Sequence, residues 1–202
     1  MLDKSVPHVD ILMHRPAGLT IPPVSVPAGF RAVLYMPGDA RAWAEIETAV
    51  LEFNDVCEAL AYFERSFLAY PGETERRCLF LETDMGEKVA TASTWWAYSG
   101  KRRDPWLHWV AVKPEYQGLG LGKAIVAAAL SLMQEIEGDC DSYLHTQTWS
   151  HRAVGVYEKM GFTMTDATHL SKYRNERFEE AVRLLTEIRG VKPRLERTRC
   201  VE

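Results

Sequence analysis

Apolar and polar positions change period several times along the 202 residues. Trp106–Val112 (WLHWVAV) is an almost unbroken apolar run, as expected of a buried strand. Within a few residues the spacing becomes helical: Leu121, Ile125, Ala128, Leu132 and Ile136 fall on one stripe between Gly120 and Glu137, and Gly138 is placed to end it. Upstream, Phe30–Met36 reads as a strand closed by Pro37-Gly38. Asp39 can then cap a helix with apolar side Trp43, Ile46, Val50 and Phe53. A second helix carries Val56, Leu60, Phe63 and Phe67, with Asp55 and Glu58 at capping-box spacing and Pro71-Gly72 as its terminator. Cys78–Thr83 and Lys88–Tyr98 read as a hairpin turning at Asp84–Glu87. Asp141–Trp149 is a further strand, followed by a short helix after Ser150 (Ala153, Val154, Tyr157, Met160), a strand at Phe162–Ala167 and an amphipathic helix over Arg174–Arg189 through Phe178, Val182, Leu185 and Ile188.

The order β-α-α-β-β-β-α-β-α-β plus a C-terminal helix predicts one α/β domain over residues 30–167. Residues 1–29, with Pro7, Pro16, Pro22, Pro23 and Pro27, read as an extended lead-in holding at most a short strand at Val9–Met13. Residues 168–202 read as a terminal helix and tail.

Composition adds exclusions. Forty-seven per cent hydrophobic and 26% charged residues suit a globular core. A net charge of −4 lacks the basic surplus of a nucleic-acid binder, and the basic run Lys192–Arg199 is expected to be a solvated terminus. Cys57, Cys78, Cys140 and Cys200 form no CxxC pair, so neither a metal site nor a disulfide framework is expected, and a reducing, cytoplasmic setting fits. No signal peptide or membrane-length apolar run stands out.

The candidate chemistry lies between strand and helix, in WVAVKPEYQGLGLGKA. Three alternating glycines let successive backbone amides line one concavity, and the helix that follows adds its positive N-terminal end. That arrangement suits an anion, phosphate above all, with Lys123 as an added charge or a solvated side chain. The P-loop pattern fails because Ala124 follows Lys123 where Ser or Thr is required. The dinucleotide pattern fails because Lys123 stands at the third glycine position.

Two motifs in register then resemble the GNAT superfamily of acyl-CoA-dependent N-acyltransferases. Val112-Lys113-Pro114 followed by Gln117-Gly118-Leu119-Gly120-Leu121-Gly122 is similar to the family's V-x-P strand end and Q/R-x-x-G-x-G/A turn. Ala153 to Tyr157 to Gly161-Phe162 is similar to its A-x-x-x-Y-x-x-x-G-F segment. The resemblance covers about Phe30 to Ala167. It implies a mixed, mostly antiparallel central sheet flanked by helices, with acetyl-CoA as co-substrate and no metal. The implied reaction is acetyl transfer to a primary amine of a small molecule or peptide, by direct attack in a ternary complex. A catalytically silent acyl-CoA sensor is the alternative.

The resemblance assigns the pantetheine arm to the backbone of Val110, Ala111 and Val112, with an oxyanion donor near Val110. The pyrophosphate falls to Gln117, Gly118, Leu119, Gly120, Leu121, Gly122 and Lys123. Ser150 stands where relatives often carry Asn, as a cofactor contact or a cap. Tyr157 matches the residue that protonates the leaving thiolate, and its other reading is a core aromatic. Many relatives carry a Glu base on the strand before the turn, but Trp106–Val112 holds no acid. His108 is the candidate base, since an imidazole titrates near neutrality; His145 competes with it, and Glu115 reads as a loop carboxylate. Strand alternation puts Trp106 on the side of His108 and Trp109 on the other. Trp95, Trp96, Tyr98, Trp106, Trp109 and Trp149 divide between core packing and an acceptor pocket for a cationic or apolar amine. The C-terminal helix covers the sheet, closes the acceptor site or forms a homodimer contact.

Overall fold

The computed structural model describes residues 2–99, 102–168 and 174–196. Expectations placed on Met1, Arg197, Arg199 and Cys200 lie outside these residues. The chain divides into two compact units. The first holds residues 2, 23–94 and 108–136; the second holds 3–22, 95–107 and 137–196 among the described residues. In chain order the elements are β1 (Asp10–Arg15), β2 (Phe30–Leu34), α1 (Ala40–Ala49), α2 (Val56–Ser66), α3 (Pro71–Arg77), β3 (Cys78–Thr83), β4 (Lys88–Ser99), β5 (Arg102–Val112), α4 (Leu121–Glu137), β6 (Ser142–Gln147), α5 (His151–Lys159), β7 (Thr163–Thr165) and α6 (Phe178–Arg189). Seven mostly antiparallel strands with flanking helices make this the α/β class expected.

In the first unit the strand order is β2-β3-β4-β5. β2 and β3 pair antiparallel from Phe30↔Thr83 to Leu34↔Leu79. β3 and β4 form the expected hairpin, closed by the Thr83 amide on the Glu87 carbonyl at 2.8 Å and by Gly86 at φ +83°. α2 starts where the capping spacing put it: Asp55 accepts from the Glu58 amide at 2.9 Å. The return bond goes to the Asn54 amide rather than to Asp55. Asp39 occupies the N-cap of α1, but its carboxylate accepts instead from the Met36 amide and from Lys88 Nζ.

One element differs in kind. Pro71-Gly72, read as a terminator, follows the end of α2 but also opens α3, because proline's fixed φ and missing N–H suit the first helical position. α3 places Arg77 in the interior with no exposed surface. There it donates to Glu73 and to the Thr94 carbonyl.

In the second unit the order is β5-β6-β1-β7. β1 is buried over Ile11–Arg15 and pairs antiparallel with both β6 and β7, from Asp10↔Gln147 and at Met13↔Met164. A strand with neighbours on both sides therefore lies in the proline-bracketed segment read as lead-in. β5 pairs parallel with β6 at Trp106↔Tyr143. α6 begins at Phe178 rather than Arg174, because the Asn175 side chain ties the preceding turn to the Asp10 carbonyl and the Arg177 amide. Its apolar side packs on β1 and α5, which favours the covering role among the three open for it.

Candidate active site

β5 runs out at Val112, Pro114–Tyr116 make one 3-10 turn, and α4 starts at Leu121. Gly118 and Gly120 hold φ +84° and +86°, a backbone region that costs any other residue energy. The turn is braced from below. The Lys113 amide donates to the Val89 carbonyl at 2.9 Å, and Lys113 Nζ and the Tyr116 hydroxyl both reach the Glu87 carboxylate at 2.7 Å. Those hydrogen bonds, Lys113 first and Tyr116 next, hold Glu87 below the usual carboxylate range. Gln117 turns back, donating Nε2 to the Val112 carbonyl at 2.9 Å, so it fastens the turn to the strand end.

The amides of Gly120, Leu121 and Gly122 have no acceptor among the described residues, whereas the Lys123 and Ala124 amides bond the Gly120 carbonyl. A Cβ built on Gly118 or Gly122 meets nothing within 4 Å, and one on Gly120 meets only Pro27 at 3.9 Å. The concavity is thus open and donor-lined at the positive end of a 17-residue helix. With Lys123 exposed beside it, this donor set fits a phosphate or pyrophosphate group.

The same unit carries His108, half-buried on β5, and Val110–Val112. Between them Trp109 sits at φ +50°, left-handed for a non-glycine residue inside a strand. The simple alternation used to assign Trp106, His108 and Trp109 to faces does not hold through such a residue. Its ring joins an aromatic cluster with α1 and α2: stacked on Phe53 at 5.4 Å, edge-on to Tyr62 at 5.0 Å and to Trp43 at 5.3 Å.

Ser150, Tyr157 and His145 lie in the second unit. Ser150 occupies the N-cap of α5 without a side-chain capping bond. Tyr157 is buried, its ring edge-on to Phe162 at 6.1 Å. His145 is exposed on β6 with its ring 4.6 Å from Trp106; desolvation by its neighbours lowers its pKa, while Asp10 opposes the shift. Trp106 packs with Leu12 and Tyr143 in the core of that unit. Trp95 and Trp96 stack on each other at 4.4 Å, and Arg103 covers the Trp96 ring.

One polar group was missed from sequence. Glu47 is only 1% exposed, and burial raises its pKa well above the usual carboxylate value. The available signal was an acid one turn after Trp43, on the apolar side of α1. Among the described residues no group of three His, Cys, Asp or Glu side chains could hold a metal ion, and no helix is long and apolar enough to cross a membrane.

A family model described as the acetyltransferase (GNAT) family matches residues 41–162. The mycothiol acetyltransferase of Streptomyces coelicolor is 27% identical over 166 residues, which is 81% of this chain and 52% of that protein. The thialysine N-epsilon-acetyltransferase of Bos taurus is 28% identical over 116 residues, 56% of this chain and 63% of that protein. The chain spans no more than about half the length of the mycothiol acetyltransferases it matches. A GCN5-related N-acetyltransferase from Sphaerobacter thermophilus shares the fold, with a TM-score of 0.62 at 22% identity, over 77% of this chain and 48% of that one. The family match covers more than half of the chain, including the glycine turn and the Tyr157 segment, and the protein therefore belongs to the GNAT acetyltransferase family.

Proposed function

We propose that this protein transfers an acetyl group from acetyl-CoA to a primary amine of a small molecule or peptide, by direct attack of the amine within a ternary complex. The observation that carries the reading is the open turn at Gly118–Gly122, whose free amides head α4. Relatives named for acetyl transfer to different acceptors support the reaction class without choosing the acceptor.

The chain's own groups divide the work. The amides of Gly120–Gly122, the dipole of α4 and Lys123 hold the pyrophosphate; Gln117 keeps the turn against the strand end. The backbone of Val110–Val112 aligns the pantetheine arm, and an amide near Val110 donates to the oxyanion, a contribution of several kcal/mol in acyl transfer. An alkylammonium has a pKa of about 10, so the amine must lose a proton before attack. His108 takes it, directly or through water, with His145 as the competing base. The Tyr157 hydroxyl returns a proton to the leaving thiolate, so the amine nitrogen gains the acyl bond as the thioester C–S bond breaks. Ser150 adds a cofactor contact. The dispersed thiols, of which Cys57, Cys78 and Cys140 are free, suit a reducing cytoplasmic setting.

The test is release of free thiol from acetyl-CoA against a panel of primary amines, with initial rates measured at several concentrations of both substrates. Intersecting double-reciprocal lines are expected. Parallel lines would indicate an acyl-enzyme instead, and CoA binding without turnover on any amine would favour the silent sensor.

A further inference from the structure

Tyr157 stands in the last turn of α5, a helix of only nine residues. So short a helix is marginal by itself, and the carbonyls of its last turn have no partners within it. The chain closes that end in a Schellman turn. The Phe162 amide donates to the Tyr157 carbonyl at 3.0 Å, the Gly161 amide donates to the Glu158 carbonyl at 3.3 Å, and Gly161 takes φ +93°. The backbone of Tyr157 is therefore set by whatever holds this turn.

Three arginines hold it, at the end where a helix favours positive charge. From α6, Arg189 forks onto the buried Glu158 carboxylate, with Nη2 to Oε2 at 2.5 Å and Nη1 to Oε1 at 3.3 Å. From β1, Arg15 Nε donates to the Met160 carbonyl at 2.9 Å. Arg194 donates its amide to Glu158 Oε1 at 2.8 Å and its Nη1 to the Glu158 carbonyl at 3.2 Å. The segment that carries Arg194 is itself fixed beside β7. The Met164 amide donates to the Arg194 carbonyl at 2.8 Å, and the Glu196 amide to the Met164 carbonyl at 2.7 Å. The Glu196 carboxylate meets His14 Nδ1 at 2.6 Å and accepts from Thr163 Oγ1 at 3.1 Å. Arg189 and Arg194 both lie beyond residues 41–162, the span that the family model matches.

We propose that Glu158 and Arg189 are positioning residues for Tyr157: their ion pair, with residues 190–196 laid against it, fixes the last turn of α5 and so the point from which the Tyr157 hydroxyl delivers its proton to the leaving thiolate. This deepens the acyl-transfer reading and rests on it for the role of Tyr157. Neither positioning residue touches the reacting atoms. The planar fork of Arg189 matters as well as its charge, because only a bidentate partner fixes the carboxylate in two directions.

The experiment compares the wild type, Arg189→Ala, Arg189→Lys, Glu158→Gln, Tyr157→Phe and the Tyr157→Phe/Arg189→Ala double variant. Each is labelled with 3-fluorotyrosine for fluorine NMR and assayed for thiol release from acetyl-CoA with spermidine, tyramine and an alanyl peptide. The Tyr157 resonance is the one missing from Tyr157→Phe. In Arg189→Ala it should shift or split while that of Tyr35, in the other unit, stays in place; Glu158→Gln, which keeps the side chain's size, should move it less. A small misplacement of a reacting group can cost about a hundredfold in rate, so Arg189→Ala should lower kcat about tenfold and leave the KM for acetyl-CoA within about twofold. Arg189→Lys should recover only part of that loss. In the Tyr157→Phe background the same substitution should change kcat by less than twofold. An unmoved Tyr157 resonance in both Arg189→Ala and Glu158→Gln overturns the proposal, as does an undiminished tenfold fall in the Tyr157→Phe background. A moved resonance in a protein that turns over none of the amines sinks the acyl-transfer reading instead and leaves the hold on Tyr157 standing.

Discussion

Replacing Gly120 and Gly122 by alanine, one at a time, separates backbone conformation from side-chain bulk in the phosphate turn. Neither new Cβ meets a serious obstacle: 3.9 Å to Pro27 at Gly120, nothing within 4 Å at Gly122. The two positions differ in φ. Gly120 stands at +86°, while Gly122 lies inside α4 with no positive φ. A left-handed L-residue costs about 1–2 kcal/mol, partly offset by roughly 0.4–1 kcal/mol of lost unfolded-state freedom, so Gly120→Ala should lose about 1 kcal/mol. Gly122→Ala should gain about 0.5–1 kcal/mol from helix propensity and reduced chain entropy. At about 2–4 °C per kcal/mol for a chain of this size, the two variants should melt roughly 3–8 °C apart. CoA at 100 times its Kd should stabilise the wild type by about 2.7 kcal/mol. If relaxation of φ at position 120 misaligns the three free amides enough to cost tenfold in affinity, that gain falls to about 1.4 kcal/mol. Gly122→Ala should keep the full CoA shift. Thermal unfolding with and without CoA reads both quantities. A Gly120→Ala protein that melts as high as Gly122→Ala, or keeps the whole CoA shift, refutes the reasoning.

Tyr157→Phe should lower turnover while leaving the Kd of acetyl-CoA nearly unchanged; unaltered turnover would return Tyr157 to the role of a core aromatic. Trp43→Ala removes a fully buried ring packed against Phe53, Tyr62, Phe63, Phe67 and Trp109, and should cost about 3–5 kcal/mol in denaturant unfolding. Burial pushes the Glu73 carboxyl up, but the bonds and charge of Arg77 and Arg76 together outweigh it and hold the group below 4.5. A depressed carboxyl stabilises the fold above its unfolded pKa and loses that contribution as pH falls through the folded value. The wild type should therefore exceed Glu73→Gln in stability near neutral pH, and the gap should close below about pH 4. A gap constant from pH 7 to pH 3 would contradict this.

Local signals made much of the architecture readable. The Cys78–Thr83 strand, its hairpin with Lys88 onward, the Asp55 cap and the Gly138 stop are each written in residues that act on their immediate neighbours. So is the glycine turn, whose φ requirement only glycine meets cheaply. β1 was harder because its strand character comes from β6 and β7, distant partners that no local period reveals. α3 was hidden because proline both ends one helix and begins the next. Glu47 went unremarked among the apolar positions of α1; its burial is a property of what the helix packs against. The interrupted pleat at Trp109 is likewise invisible, since nothing in WLHWVAV requires a left-handed residue.

That residue gives the sharpest test of whether the aromatic cluster imposes the irregularity on β5. In an ordinary strand, glycine is less stable than alanine by roughly 0.5–1 kcal/mol, because its unfolded chain has more freedom to lose. At φ +50° the order should reverse. Trp109→Ala loses the ring and keeps a Cβ in a strained conformation worth about 1–3 kcal/mol; Trp109→Gly loses the same ring and no longer bears the strain. Glycine should therefore be the more stable variant, by about 1 kcal/mol in denaturant unfolding. If ring packing holds the backbone in this state, the alanine variant has a second escape, relaxation of β5 to a regular pleat. Alanine would then recover its usual advantage, and the amides of Val110–Val112 would shift in register. Alanine above glycine with acetyl-CoA affinity lost identifies the cluster as the cause of the bend. Alanine above glycine with affinity intact refutes the link between the irregular backbone at Trp109 and the strand segment that follows it.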